Sequence, residues 1–256
     1  MESASIIIPT LNEEKYLPQL LDSLKEVSAP LDIIVVDGNS EDRTVQVVEK
    51  YQPAFSGASS LRLISGAGRC ISLQRNLGAA QAKHEILIFC DADILVPSSE
   101  AYASLITQFS KGNYVVAAPR LVPIEPGIRL RIFYRTFYLM QKSLIILGRP
   151  CFAGSYLLTK KETFLKVGGF DPQVVLGEDV DYSLKAAKTG PYALFTIPYP
   201  VSARRMIKYG YSWFFTQGLN LFRAFFVTGR IIPESVFYPF GEFGGQQAHH
   251  VTKNRG

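Results

Sequence analysis

The sequence predicts an α/β domain in which a mainly parallel sheet is covered by helices on both faces, a three-layer α/β/α sandwich. Three observations predict it. Short β-branched runs alternate with helix-patterned segments through the first half of the chain. The connections between them are short, which favours parallel neighbours joined by crossover helices. The polar residues Thr10, Asn12, Asp37, Asn39, Asp91 and Asp93 fall just beyond the apolar runs, where open α/β sheets place their ligands.

The elements follow in order. Ser5 to Ile8 reads as a strand, and Asn12 is placed to cap a helix carrying Leu17, Leu20, Leu21 and Leu24 on one face. Ile33 to Val36 is a continuous apolar run suited to a buried parallel strand, and Ser40 is placed to cap a helix with Val45, Val47 and Val48. Leu61 to Ile64 is a third strand, Ile71 to Lys83 a helix, and Glu85 to Cys90 a fourth strand ending at Asp91-Ala92-Asp93. Beyond it come a strand over Tyr114 to Ala118, a turn over Pro123 to Gly127, a helix over Ile128 to Leu147, a strand over Ser155 to Thr159 and a helix over Glu178 to Lys188. The polar, Gly-rich stretch 240–256 reads as a disordered tail.

Composition bounds the class. At 256 residues, 47% hydrophobic and 19% charged, the chain has material for one large core and none of the signature of disorder. Cys70, Cys90 and Cys151 are odd in number and never form Cys-x-x-Cys, which points away from a disulfide framework or structural zinc and toward a reducing compartment. Glu2 stands where a secretory leader would be basic, so no cleaved leader is expected and a cytoplasmic location is.

The net charge of +5 is unevenly spread. Glu125 is the only acid between Arg120 and Lys161, and there is none from Tyr182 to Pro233, although both stretches are basic. This half of the chain is a cationic surface suited to anions such as nucleotide phosphates or lipid headgroups. Helical spacing puts Arg131, Arg135 and Lys142 in one stripe of the first amphipathic stretch, and Ser212, Thr216, Asn220, Arg223 and Arg230 in one stripe of the second, Tyr211 to Arg230. Neither is apolar enough to span a bilayer. Two readings stand: helices packing on each other, or peripheral contact with a membrane surface. Basic residues interleaved with Leu and Ile, without exposed stacking platforms, argue against nucleic acid as a partner.

Two acidic groups carry chemistry. Asp91 and Asp93, two residues apart at a strand end, can share a hard divalent cation whose other positions go to water and a diphosphate; the alternative is a pair of loop-capping acids. Glu178, Asp179 and Asp181 crowd into a first helical turn, where an ionised carboxylate could take a proton from a hydroxyl; the alternative is helix capping. No Gly-x-Gly-x-x-Gly follows the first strand, and neither a P-loop nor a Gly-x-Ser-x-Gly elbow occurs.

Taken together, Ile6 to Glu14, Ile34 to Thr44, Arg75-Asn76-Leu77-Gly78, Asp91-Ala92-Asp93, Gly168-Gly169-Phe170-Asp171 and Gly177-Glu178-Asp179 resemble, in order, the family 2 glycosyltransferases. The resemblance implies a GT-A type, Rossmann-like fold and inverting transfer from a nucleotide-sugar. By position, Pro9, Thr10 and Glu13 would border the nucleotide, Asp37 would accept the imide N–H of the base, and Arg75, with Arg69 a weaker candidate, would lie near base or phosphates. Asp91 would meet ribose and metal, Asp93 would coordinate magnesium or manganese, and Asp179 would be the general base. The Gln-x-x-Arg-Trp motif of processive synthases is missing; Ser202-Ala203-Arg204-Arg205 stands instead, so Arg204 or Arg205 would neutralise a diphosphate or acceptor phosphate.

The expected organisation is a transferase domain over 1–200, with a nucleotide half to about residue 95 and an acceptor half after it. A basic helical appendage over 201–239 follows. The expected acceptor is a hydroxyl or phosphate, lipid-linked or on a polysaccharide, met at the cytoplasmic membrane face. The rival readings are a sugar-phosphate nucleotidyltransferase, which a Gly-rich phosphate loop in place of Pro9-Thr10-Leu11 would signal, and a non-catalytic nucleotide-binding protein at the membrane.

Overall fold

The computed structural model describes residues 2–174 and 176–223. Seven strands form one sheet in the order β3-β2-β1-β4-β6-β5-β7. These are β1 (Ala4–Thr10), β2 (Leu31–Asp37), β3 (Ser60–Ser65), β4 (Ile86–Cys90), β5 (Val116–Pro123), β6 (Tyr156–Lys160) and β7 (Tyr192–Val201). Strands β3, β2, β1 and β4 run parallel, as do β5 and β7, while β6 lies antiparallel to both of its neighbours. The sheet is therefore mixed but mainly parallel, with helices on both faces.

The alternation of side chains along β1 and β2 explains why both runs are apolar throughout. Ile6, Ile8, Ile33 and Val35 face one core with Leu17, Leu20, Leu21 and Leu24 of α1 (Leu17–Lys25). Ile7, Ile34 and Val36 face the other, with Ala79 of α3 (Ile71–Ala80), Phe89, Phe164 and Tyr182. Gly78 allows α3 to lie against the sheet, since a Cβ there would sit 2.4 Å from Ile7 Cγ2.

Two expected helix caps are corrected. The residue before α1 is Tyr16, and Arg43 precedes α2 (Thr44–Tyr51); neither contributes a side-chain cap. Asn12 instead turns the chain at φ 58°, and its Oδ1 accepts the Glu41 amide at 2.8 Å. Ser40 donates to Asp37, and its Oγ accepts the Asn12 amide. The competing demand is long-range: both polar side chains tie the loop after β1 to the loop after β2, and so are unavailable to local helix ends.

Besides a short 3-10 turn over Gln52–Phe55, three elements lie beyond the sequence expectations. Helix α4 (Ser99–Lys111) buries Tyr102, Leu105, Ile106 and Phe109 and is capped by Ser98 Oγ; α6 (Lys161–Val167) and β7 complete the set. Helix α5 (Ile128–Ile146), β6 and α7 (Glu178–Ala187) fall where the patterns place them. Helix α8 (Arg204–Arg223) starts earlier than its pattern and kinks at Gly210, where φ is 79°. The expected continuation of that helix to Arg230 and the tail 240–256 lie outside the described residues.

Helices α5 and α8 do pack on each other. Phe133 meets Tyr211 at 6.1 Å and Phe214 at 5.9 Å between ring centroids, above a small core of Leu130, Ala203 and Met206. Among the described residues, no helix is long and apolar enough to cross a membrane.

Candidate active site

The C-terminal ends of β1, β2 and β4 bring most of the singled-out residues to one edge of the sheet. Pro9 and Thr10 end β1 in register with Val36 and Asp37 at the end of β2. Thr10 Oγ1 lies 3.3 Å from Asp37 Oδ1, and the Ser40 amide donates to Asp37 Oδ2 at 2.9 Å. Asp37 therefore shapes the turn that follows it, with carboxylate lone pairs remaining for another donor. Arg69 is exposed and pairs with Glu41.

A second group is built around Arg75, whose side chain is 1% exposed. Nη1 donates to Glu178 Oε1 at 2.7 Å, and Nη2 to Asp91 Oδ1 at 3.1 Å and the Gly154 carbonyl at 3.3 Å. The guanidinium carbon sits 5.1 Å from the centre of the Phe170 ring. Burial disfavours the cation, but Asp91, Glu178 and Asp179 outweigh it and hold the Arg75 pKa above its ordinary value. Next to it, Asn76 accepts the Phe170 amide at 2.9 Å and donates to the Phe170 carbonyl at 2.8 Å. One helical dipeptide thus fixes the Gly168-Gly169-Phe170-Asp171 loop.

Asp179 is anchored from the backbone. Its Oδ2 accepts the Gly154 amide at 2.6 Å and its Oδ1 the Val180 amide at 2.8 Å. Burial still pushes its carboxyl above the usual range, against the pull of Arg75. The helix-capping alternative for its neighbours gains nothing from their side-chain pairings, since Glu178 reaches Arg75 and Asp181 pairs with Lys185 one turn on. Burial and the adjacent Asp179 carboxylate lift Glu178 to about 7.

The third group joins distant parts of the chain. Arg204 donates through both terminal nitrogens to the two oxygens of Glu13, each at 2.7 Å, and its Nε lies 2.7 Å from Asp93 Oδ2. The same guanidinium stacks over Tyr16 at 4.2 Å. Burial pushes Glu13 up to about 7 and also raises Asp93. Arg204, which a surface arginine pair would leave in solvent, is buried, whereas Arg205 is half-buried and lines a cavity of about 150 Å³ with Asp91 and Asp93. Phe133, Tyr134 and Phe137 of α5, Ala153, Ser155, and Met206 and Phe214 of α8 form other parts of its wall.

The two carboxylates lining this cavity, Asp91 beside Arg75 and Asp93 beside Arg204, are a hard oxygen donor pair of the kind that suits magnesium or manganese. Among the described residues no three acidic, histidine or cysteine side chains gather around one point, so water and phosphate oxygens would have to complete the shell.

Sequence reasoning left out Glu178 as the partner of Arg75, Gly154 as the amide that holds Asp179, and the aromatic wall from α5. Adjacency to Asp179 was the available signal for Glu178. Gly154 carries none, because its role comes from a chain crossing far away in sequence.

The sequence profile described as glycosyl transferase family 2 matches residues 5–168. The 4,4'-diaponeurosporenoate glycosyltransferase of Staphylococcus haemolyticus is 33% identical over 118 residues, covering 44% of this chain and 30% of that protein. The poly(ribitol-phosphate) beta-N-acetylglucosaminyltransferase TarS of Staphylococcus aureus is 38% identical over 97 residues, covering 36% and 16%. The chain therefore spans less than a third of the length of either relative in these matches. The O-antigen chain rhamnosyltransferase RfbN of Salmonella typhimurium is 23% identical over 197 residues, covering 73% of this chain and 61% of that protein. Among solved structures, S. aureus TarS 1-349 in complex with UDP superposes with a TM-score of 0.61 at 20% identity, covering 79% of this chain and 61% of that one. The mannosyltransferase PcManGT of Pyrobaculum calidifontis, in complex with GDP-Man and Mn2+, gives 0.64 at 21%, covering 85% and 61%. Both neighbours have the GT-A fold, and the mixed sheet described above is the same architecture. With more than half its length matched by one family profile, the chain belongs to glycosyl transferase family 2.

Proposed function

We propose that this chain is a metal-assisted, inverting glycosyltransferase that moves one sugar from a UDP- or GDP-sugar to an acceptor hydroxyl or phosphate. One observation carries the reading. Asp91, Asp93 and Arg205 line one cavity, while Asp179 is held by the amide of Gly154, which lies between the lining residues Ala153 and Ser155. In this reading the segment 153–155 links the anion-binding cavity to the proton-accepting group.

In this reading Thr10, Glu13 and Asp37 border the nucleotide at the ends of β1 and β2, with Pro9 fixing the exit of β1. A divalent cation held by Asp91 and Asp93 would supply positive charge to the diphosphate. Arg205 adds a second positive group in the cavity, and Arg204 positions Asp93 and Glu13 instead of meeting phosphate itself. Arg75 holds Asp91 and the start of α7 in fixed relation. Asp179 accepts the proton of the acceptor hydroxyl as that oxygen bonds to the anomeric carbon; the bond from that carbon to the diphosphate breaks on the opposite side, and the electron pair leaves with the nucleoside diphosphate. The configuration is inverted. An acceptor phosphate, already ionised, needs no such proton transfer.

Relatives named for 4,4'-diaponeurosporenoate, poly(ribitol-phosphate) and an O-antigen chain differ in acceptor, so the donor and acceptor of this chain are set by loops around the cleft. A panel of nucleotide-sugars, screened for thermal stabilisation with and without Mn2+, identifies the donor. Nucleoside diphosphate release on adding acceptor supports transfer. Release of pyrophosphate from a nucleoside triphosphate and a sugar phosphate would favour nucleotidyl transfer instead.

A further inference from the structure

The faces of α5 and α8 that do not meet each other carry a surface the transferase reading leaves unused. In α5, Ile128, Ile132, Leu139 and Ile146 are 70%, 58%, 53% and 85% exposed. At 3.6 residues per turn these four lie within about 40° of one another, on the side opposite the buried Leu130 and Gln141. Arg131, Arg135 and Lys142, all exposed, border that stripe on one flank. In α8, Ile207, Phe215 and Leu219 are likewise exposed, and Tyr211, 40% exposed, lies at the edge of that face, where its ring also meets Phe133 of α5. The two stripes adjoin: Ile128 and Arg129 of one helix and Ile207 and Tyr211 of the other line a single groove of about 530 Å³.

From these observations we infer that α5 and α8 dock this protein on an anionic lipid bilayer, lying in the interface with their outward faces among the headgroups. An apolar stripe flanked by cations is what such a surface selects, because acyl chains take the side chains and phosphates take the charges. Charge decides against the other occupants. Neither helix contains an acid, so a second copy would set like charges against each other, and a protein partner would need an acidic rim around an apolar centre. The inner faces of the same helices supply Phe133, Phe137, Met206 and Phe214 to the cavity that holds Asp91 and Asp93. Resting on the transferase reading, the docked protein opens its cleft beside the bilayer, so its acceptor is an amphiphile anchored there.

The test is flotation of the full chain with vesicles of phosphatidylcholine alone or with about one third phosphatidylglycerol, without donor. Binding is expected to the anionic vesicles at low salt and to be released as salt screens the charges. The triple variant R131Q/R135Q/K142Q is expected to bind about a hundredfold more weakly, at about fivefold for each cation removed. The pair I132Q/L139Q removes the apolar half and is expected to abolish flotation. All five positions are exposed, so unchanged melting temperatures show that the variants fold. Failure of the unaltered chain to float at low salt overturns the inference, as does flotation indifferent to both variants. A dimer in solution that I132Q/L139Q dissociates, without flotation, assigns the face to a second copy and also overturns it. Donor-dependent thermal stabilisation is measured separately, so loss of docking alone leaves the transferase reading standing.

Discussion

Arg75 Nη1 donates to Glu178 Oε1 at 2.7 Å across 103 residues of sequence, and the other arm of the same guanidinium reaches Asp91. This buried bridge fixes the first turn of α7, with its Asp179, relative to the acidic end of β4. Replacing Arg75 by Met leaves two carboxylates without their cation, a change that costs about 3–5 kcal/mol in buried pairs. The melting temperature is expected to fall steeply, and Arg75→Lys is expected to recover only part of it because a point charge cannot span both partners. An Arg75→Met protein as stable as the parent would show that the bridge holds nothing.

Glu178 gives the stability a pH dependence. Its carboxyl is raised to about 7 in the folded chain from an ordinary value near 4.5, so between those values the folded state binds more protons than the unfolded one. The associated stability is complete below the lower value and disappears as pH rises through the upper. Glu13, also raised to about 7 by burial, acts in the same direction. Denaturation midpoints are expected to drop as pH rises between 5 and 8. Glu178→Gln is expected to flatten that slope without removing it, because Glu13, Asp93 and Asp179 are raised as well, and urea titrations at several pH values measure the change.

Gly154 tests how tightly the site is packed. A Cβ there would lie 2.6 Å from Arg75 Nη2 and 3.1 Å from its Cζ, and that arginine is held on three sides. Gly154→Ala is expected to lower stability by about 1–3 kcal/mol through overpacking. It is also expected to lower turnover more than donor affinity, because the displaced amide is the one that holds Asp179 Oδ2. Parallel calorimetry and steady-state rates separate the two effects, and equal losses in turnover and donor affinity would remove the positioning role.

Strands β1, β2 and β4 were legible because each holds a short apolar run buried on both faces, with polar or acidic residues directly at its end, whereas β3 is half-buried and carries Arg62. The connections were less so. Asn12 and Ser40 carry the local signal of helix caps, yet the side-chain hydrogen bonds run between two loops some 28 residues apart, which spacing alone does not encode. Helix α4 did carry a signal, with Ser98 ahead of a 3.6-residue apolar repeat through Tyr102, Leu105 and Phe109. The reversed strand β6 has none, since direction in a sheet comes from the path of the chain. At the site, single acids at strand ends were readable, whereas the partners that set their charge were not. Arg204 meets Glu13 from 191 residues away.

Metal dependence is checked by removal. With Mn2+ present, a bound nucleotide-sugar is expected to raise the melting temperature by several degrees, as about 2.7 kcal/mol of linkage follows from ligand at a hundred times its dissociation constant. Chelation is expected to erase most of that shift, and Asp93→Asn to erase it even in excess Mn2+. Arg204 keeps its bidentate pairing with Glu13 in that variant, which limits the structural damage. A stabilisation by donor that ignores both chelator and Asp93→Asn would remove the cation from the reading.

In the proposed reaction Asp179 is the decisive position. Its two oxygens already accept backbone amides, so an Asn of the same size can keep one of those bonds while losing the charge that accepts a proton. Asp179→Asn is therefore expected to retain donor binding and lose at least about a hundredfold in turnover with a hydroxyl acceptor. In the parent, burial has raised this carboxyl, so the rate is expected to fall on the acid side through a value above the ordinary aspartate range. The sign follows from the role: the base works only when ionised, and a raised pKa moves the loss to higher pH. Because Glu178 titrates next door, the pH profile of Glu178→Gln serves as the control. If the acid limb stays in Asp179→Asn with undiminished turnover, proton acceptance belongs elsewhere. If it vanishes together with the rate, Asp179 takes the acceptor proton.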